Sequence, residues 1–219
     1  LTFVADLGGG FTATGIMLVT VTEPVDSSTL HLELVPNPFN PEFIDVFIVA
    51  RLNLAGTPNV VRSFEGIDST VAVRPIEEDL LKRGALIWTG SVRLRPQAAG
   101  TIFFTTQAKT SLGTSLLDTA SVAIAPVVAG KPVVLEHGGA ALWLPPGAAA
   151  GAKAVVLKTS APAAGEGAAK IVGGLSLEIR RQLDLYPVGL VLGEAGTLRV
   201  DLGPGEGLYQ RQGATWAPV

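Results

Sequence analysis

The sequence predicts an all-β protein with two tandem β-sandwich domains and an N-terminal strand arm. Apolar and polar residues alternate through strand-length runs along the chain, and glycine, proline or asparagine separates each run from the next. Only IEEDLLKRG, at residues 76–84, has the acid-first, base-last pattern of a short helix. Because one short helix cannot supply the crossovers of a parallel sheet, antiparallel sandwiches are expected.

Three segments are predicted from the spacing of these runs. Residues 1–27 form the strand arm, residues 28–127 an immunoglobulin-like first sandwich, and residues 128–219 a second β domain. The junction falls in residues 125–131, where proline, glycine and alanine interrupt the alternation. The Ala- and Gly-rich residues 161–169 predict an exposed loop within the second domain.

The first domain is organised around residues 34–53. Pro36, Pro38 and Pro41 hold the backbone extended and supply no ladder donors. The next run, FIDVFIVA, has the β-branched and aromatic residues of a buried strand. Alternation along all the runs predicts two cores. The first core is expected to contain Phe43, Val46, Ile48, Trp88, Leu94, Ile102 and Phe104, and the second Leu142, Leu144, Val156, Leu198, Val200 and Trp216.

Composition argues against several classes of function. The 219 residues include no cysteine, which excludes disulfides, thiolate metal sites and cysteine nucleophiles. A net charge of −3 without a Lys/Arg cluster argues against a nucleic-acid partner. No run approaches the roughly 18 apolar residues that span a bilayer, so membrane insertion is not expected.

The first residue bears on cellular location. The sequence begins at Leu1 without an initiator methionine, which is expected of a mature protein whose signal peptide has been removed. This interpretation predicts an extracellular or cell-surface location. A trimmed fragment of a longer chain explains the same observation.

No catalytic, cofactor or metal site emerges from the polar residues. His31 and His137 are the only imidazoles, and neither has a second histidine at metal-ligand spacing. No Gly-x-Ser-x-Gly elbow is present, and the acids at 77–79 are typical of a solvated turn rather than of carboxylates facing across a cleft. We therefore predict that the chain is not an enzyme and binds no cofactor or metal, and that both histidines lie on the surface.

Two other patterns have both a structural and a functional interpretation. DLGGG, at residues 6–10, is similar to the phosphate loop of the actin and Hsp70 ATPases. The helices of that fold are missing from the sequence, so a hinge between two strands is favoured. Trp88, Trp143 and Trp216 suit a sugar-stacking platform, but tryptophans of small sandwiches usually lie in cores or interfaces.

The first half resembles immunoglobulin-like or fibronectin-like domains of secreted and cell-surface bacterial proteins. PNPFNPEFIDVFIVA, at residues 36–50, resembles their opening strands. ALIWTGSVRLRPQAAGTIFFTTQA, at residues 85–108, resembles a later pair of strands with an aromatic-Thr-Gly turn. The resemblance implies a sandwich fold for about residues 30–126.

The second half resembles the ZU5-like β domain, an accessory module of bacterial surface proteins. Residues 140–160, AALWLPPGAAAGAKAVVLKTS, look like its strand, Pro-Gly turn and strand. Residues 183–202 and 207–219 are similar to its later paired strands and final hairpin. The resemblance implies a scaffold or interaction module and brings no catalytic residues.

The arm can complete a sheet in its own chain or in a neighbouring copy, and pairing with a neighbouring copy predicts a function in assembly. We expect the chain to be a subunit of an extracellular homopolymeric filament or surface layer, with another copy of itself as its partner, joined head to tail by strand pairing. The alternative is a non-catalytic binding module of a larger secreted protein, such as an adhesin or carbohydrate-binding module. The apolar arm residues expected at the assembly interface are Phe3, Val4, Leu7, Phe11, Ile16, Leu18 and Val19.

Overall fold

The described residues of the computed structural model form nineteen strands and no helix, which confirms the all-β prediction. The predicted helical turn at 77–84 lies outside them. Within the same ranges, no helix is long and apolar enough to cross a membrane. The structure describes residues 2–6, 12–16, 29–37, 40, 42–51, 54–76, 85–160, 168–170, 176–178, 182–187, 190–204, 206–207, 209–212 and 215–218.

The strands follow the predicted alternating runs except at 168–169, which the sequence assigned to an exposed loop and the structure places in a strand. In chain order they are β1 (Thr2–Asp6), β2 (Thr12–Ile16), β3 (Leu30–Pro36), β4 (Phe43–Arg51), β5 (Asn59–Phe64), β6 (Ile67–Val71), β7 (Arg74–Pro75), β8 (Ala85–Arg93), β9 (Gly100–Lys109), β10 (Ser115–Pro126), β11 (Val133–His137), β12 (Ala140–Leu144), β13 (Ala154–Ser160), β14 (Ala168–Lys170), β15 (Ser176–Glu178), β16 (Gln182–Tyr186), β17 (Thr197–Val200), β18 (Tyr209–Gln212) and β19 (Thr215–Pro218).

Two antiparallel sheets enclose the first core. One has the order β3-β4-β8-β7, and the other has the order β16-β13-β10-β9-β5-β6. Every second side chain of the paired strands points between the sheets, as period-two alternation requires. Fully burying such a side chain contributes about 1.5–3 kcal/mol. The first core comprises Leu32, Leu34, Ile44, Val46, Ile48, Ala50, Val60, Val71, Trp88, Val92, Leu94, Ala98, Ile102, Phe104, Val122, Ile124, Ala154 and Val156.

A three-stranded sheet, ordered β11-β12-β17, covers the opposite face of β10 and β13. Consecutive residues of these two central strands are therefore buried, at 122–125 and at 154–158. This continuous burial explains their uninterrupted apolar sequences, because a strand covered on both faces has no solvent side. The second core comprises Ala123, Ala125, Val133, Leu135, Ala140, Leu142, Leu144, Ala148, Ala149, Val155 and Leu157.

The six-stranded sheet, here called the central sheet, contains strands from both sides of the predicted junction between residues 127 and 128. β10 lies before the junction and β13 after it, and Val122 pairs with Lys158 and Ile124 with Val156. Side chains from both strands enter both cores. The division into domains 28–127 and 128–219 stays a prediction, and strands from its two sides share one hydrogen-bonded sheet.

Most predicted core residues lie in the predicted core, and three do not. Phe43 is only partly buried, because it alternates with the buried Ile44 and Val46 and therefore faces away from them. Val156 belongs to the first core rather than the second, since β13 sends alternate residues to opposite faces. Leu198 is 44% exposed. The side chain of Trp216 lies outside the description, and Val200 packs against the second core as expected.

Candidate functional site

The predicted assembly residues fall on the arm, where the backbone forms a hairpin. β1 and β2 pair antiparallel from Thr2–Ile16 to Asp6–Thr12. Phe3 and Val4 lie in β1 and Ile16 in β2, whereas the other predicted interface positions, 7, 11, 18 and 19, lie outside the described residues. Gly8–Gly10, for which a hinge between two strands is favoured, also lies outside the described residues. The interface itself stays a prediction.

The edge of the four-stranded sheet at β3 is covered by side chains from the central sheet. The Leu32 N–H donates to Asp118 Oδ2 at 2.7 Å, and the His31 Nδ1 lies 3.4 Å from the same carboxylate oxygen. Farther along, the Lys158 ammonium of β13 forms an ion pair with Glu33 of β3. A charged group on an edge strand discourages pairing with another chain. This edge is therefore a poor place for strand addition.

Lys158 is the buried charge at this seam. It is only 7% exposed, and its ion pair with Glu33 compensates an ammonium that would otherwise be costly to bury. Burial first, and then the negative charges of Asp184 and Glu33, raise the pKa of the neighbouring Tyr186. At neutral pH the phenol is therefore protonated and available as a hydrogen-bond donor.

A concave surface with several polar side chains is the groove around the turn between β11 and β12, here called the His137 groove. Its volume is about 540 Å³. Thr101, Phe103 and Ser121 of the central sheet form one side, and the turn at 137–140 forms the other. Gly138 and Gly139 have φ values of 55° and 76°, the left-handed backbone that a tight hairpin turn requires. A Cβ at Gly138 would lie 2.3 Å from Thr159 Oγ1, so only glycine brings the turn this close.

His137 links two strands of the central sheet through its ring. Its Nε2 lies 3.0 Å from Ser121 Oγ on β10, and its Nδ1 lies 2.7 Å from Thr159 Oγ1 on β13. Residues 121 and 159 are one position beyond the Val122–Lys158 pair, so their hydroxyls face each other across the ladder. The imidazole therefore bridges two hydroxyls that are 38 residues apart in sequence.

Burial sets the protonation state of this imidazole. Desolvation lowers the pKa of His137 below 6.5, and a hydrogen bond to the Ser121 backbone raises it by a smaller amount. The ring is therefore neutral at pH 7, with one nitrogen donating and the other accepting. The sequence predicted a surface histidine here, and the structure places the ring half-buried in an open groove of the surface.

The groove combines hydroxyls, an imidazole and charged side chains. A serine beside a neutral histidine is the start of a nucleophile–base pair. However, the second ring nitrogen faces the Thr159 hydroxyl, and a neutral hydroxyl stabilises an imidazolium less than the carboxylate of a catalytic triad does. Glu136, Arg199 and Asp201 add charged groups at the rim. Hydroxyls, an imidazole and one exposed aromatic ring suit a small polar ligand.

Lowering the pH from 7 to 5.5 is expected to destabilise the protein through His137. The unfolded imidazole takes up a proton near pH 6.5, whereas the folded imidazole takes it up only at lower pH. Since the unfolded state then binds more protons, stability is complete above pH 6.5 and falls below it. Thermal melts should show a smaller decrease in Tm for His137→Gln than for the unsubstituted chain.

The matched control for this experiment is Ser121→Ala. It removes a hydroxyl partner but keeps the imidazole and the Ser121 backbone group, so the decrease in Tm on acidification should persist. If acidification lowers the Tm of the His137→Gln variant as much as that of the unsubstituted chain, another group causes the pH dependence.

Among the described side chains, the other sequence candidates do not join this groove. Trp88 is 5% exposed and lies in the first core, which removes it from any sugar-stacking platform. Trp143 is 44% exposed on β12, and the side chain of Trp216 is not described. Within the described ranges, no three His, Asp or Glu side chains are grouped as metal ligands.

The chain was compared with known proteins in three ways. No family model, no curated protein and no solved structure matches it. The resemblances to immunoglobulin-like and ZU5-like domains therefore stay predictions from the sequence.

Proposed function

We propose that the chain is an extracellular structural protein, a subunit of a homopolymeric assembly joined by pairing of β-strands between copies. The observation that carries this proposal is the pairing of the arm. Among the described residues, β1 and β2 pair only with each other, outside the two large sheets. A separate hairpin is free to add to the sheet of a neighbouring copy, where main-chain hydrogen bonds supply the affinity.

The acceptor for such a strand is the edge of the central sheet at β6. β6 is the terminal strand of its sheet, and no other described strand pairs beyond it. A two-residue turn joins β5 to β6 and is closed by the pair Phe64 and Ile67. Hydrogen-bonded and non-hydrogen-bonded pairs alternate from there, so the N–H and C=O groups of Asp68 and Thr70 face away from β5. Ile67 is 65% exposed at this edge. No strand of the described residues pairs at the β6 edge, in contrast with the covered edge at β3.

Strand order and composition also support the proposal. The sheet β3-β4-β8-β7 faces the strands β10-β9-β5-β6. These orders correspond to strands A-B-E-D and G-F-C of the immunoglobulin fold, with β6 as one added strand. Many cell-surface domains use this sandwich. The low charged fraction of 16% suits a surface that other copies cover.

Deleting residues 1–21 tests the assembly function. We expect the full chain to form growing particles in light scattering and electron microscopy, and the deletion variant to remain monomeric, because a head-to-tail contact without its donor strand cannot propagate. If the truncated protein still polymerises, the arm is not the connector. A full chain that stays monomeric at high concentration contradicts the assembly function itself.

A substitution at the acceptor edge completes this test. Thr70→Pro removes one outward N–H from β6 and should block growth while leaving the ladder to β5 in place. Thr70→Ala is the matched control, since it shortens the side chain but keeps the N–H. Both variants should keep the circular dichroism of the unsubstituted chain.

A second candidate function is that of a non-catalytic accessory binding module, and the His137 groove favours it. Its mixture of hydroxyls with an aromatic ring, Phe103, that is 55% exposed is the kind of surface that binds polar ligands such as sugars. If the full chain is monomeric and this groove binds a soluble glycan in an NMR titration, this function takes the place of assembly.

A further inference from the structure

A second depression lies at one end of the first core and is lined by three arginines. We call it the arginine pocket. It has a volume of about 410 Å³ and lies where the β5–β6 hairpin meets the chain that follows β8. The hairpin supplies Arg62, Phe64, Glu65 and Ile67, and the segment 93–96 supplies the opposite side.

Arg62 lines this pocket, and its Nε has no hydrogen-bond partner among the described residues. It follows Val60 by two residues along β5 and is opposite Phe104 of β9, so its side chain starts from the core side of the sheet. Its Nε is buried without a hydrogen bond, and none of the described residues forms an ion pair with it. A buried N–H donor without an acceptor is costly, and a negative charge in the pocket would stabilise the half-buried guanidinium that carries it.

Arg95 is held in position across the pocket. Its guanidinium carbon lies 5.6 Å from the centre of the Phe64 ring, and the group forms an ion pair with Glu65. The ring and the carboxylate restrict the guanidinium, which reduces the ordering cost when a ligand binds. Among the described lining residues, Glu65 is the only carboxylate beside three arginines, so this lining has a positive excess in a chain of net charge −3.

We propose that the arginine pocket binds a carboxylate carried on an apolar body. The guanidinium of Arg62 offers parallel N–H donors that match the two oxygens of a carboxylate. The remaining lining is apolar, with Phe64, Ile67, Leu94 and Pro96, and an aromatic or branched aliphatic group would pack against it. Glu65 competes with the ligand for Arg95, so the native pocket binds more weakly than one without this carboxylate.

The test is an NMR titration of the full chain with 3-phenylpropionate and, separately, with 3-phenylpropionamide. The acid should shift the backbone amides of residues 62–67 and 93–96 in a saturable manner, and the amide should not. Arg62→Gln should weaken binding of the acid at least about tenfold, since hydrogen bonds between charged groups are among the strongest. Arg74→Gln, an exposed arginine of β7 outside the pocket, is the control of equal charge and should bind like the unsubstituted chain.

A gain of affinity guards against a folding artefact. Glu65→Gln releases Arg95 and should tighten binding of 3-phenylpropionate several-fold, an effect that misfolding cannot produce. Equal binding of the amide and the acid, or unchanged binding by Arg62→Gln, would overturn the proposal.

The same titration distinguishes two sources of the carboxylate. Tighter binding of N-acetyl-leucyl-phenylalanine than of 3-phenylpropionate, with no binding of the peptide amide, assigns the pocket to a peptide C terminus. Tighter binding of 3-phenylpropionate assigns it to a free organic acid. Both results support a carboxylate site.

Discussion

Replacing Phe104 by alanine is expected to lower the free energy of unfolding by about 3–5 kcal/mol. Phe104 is fully buried in the first core, where β9 places it opposite Arg62 of β5 and Ala120 of β10. Removing the ring leaves a cavity between two sheets whose hydrogen-bonded strands restrict collapse around it. Urea denaturation of the two proteins measures the loss.

The neighbouring residue provides a matched control. Phe103 has the same side chain on the same strand, but it faces the His137 groove and is 55% exposed. Phe103→Ala should cost less than about 1 kcal/mol, because little apolar surface leaves water when the protein folds. Equal losses in the free energy of unfolding would show that Phe103 and Phe104 do not lie on an exposed and a buried face of β9. The register of β9 in the sheet would then be different.

A chain that ends at Val127 is expected not to form a stable fold. It lacks β13, which pairs with β10 from Val122 to Pro126. It also lacks the three-stranded sheet, so Ala123 and Ala125 would face water and the edge of β10 would be unpaired. We expect the polypeptide 28–127 to show no cooperative transition in urea, or a midpoint far below that of the full chain.

Removal of the arm is the control for this truncation. The polypeptide 28–219 keeps both cores and should unfold at nearly the same urea concentration as the full chain, because β1 and β2 pair only with each other within the described residues. If the polypeptide 28–127 instead unfolds at the same urea midpoint as the full chain, these residues form a domain that is stable by itself.

The alternation of residues was sufficient to predict strands and much of the first core. Val46 and Ile48 differ by two positions, as do Ile102 and Phe104, and all four are buried. Phe43 is also predicted in the core, but it differs from Val46 by three positions, so alternation puts it on the other face. It lies there under Arg93, whose guanidinium carbon is 5.5 Å from the ring centre.

Neither the shared sheet nor the candidate sites could be predicted from sequence alone. The pairing of β10 with β13 joins residues about 30 positions apart, and alternation within a strand does not say which strand lies beside it. The Gly-Gly pair after His137 indicates a turn, but nothing local brings Ser121 and Thr159 to the ring. The arginine pocket likewise combines β5 with the residues after β8.

The sharing of β10 between two cores has a consequence for synthesis on the ribosome. The chain emerges from its N terminus, so β10 is complete while β13 is still being made. During that interval one edge of β10 lacks its neighbour, and the alanines on its second face lack their cover. The nascent protein therefore carries an unsatisfied strand for about 30 residues of elongation, and a chaperone or a second nascent copy is most able to bind it then.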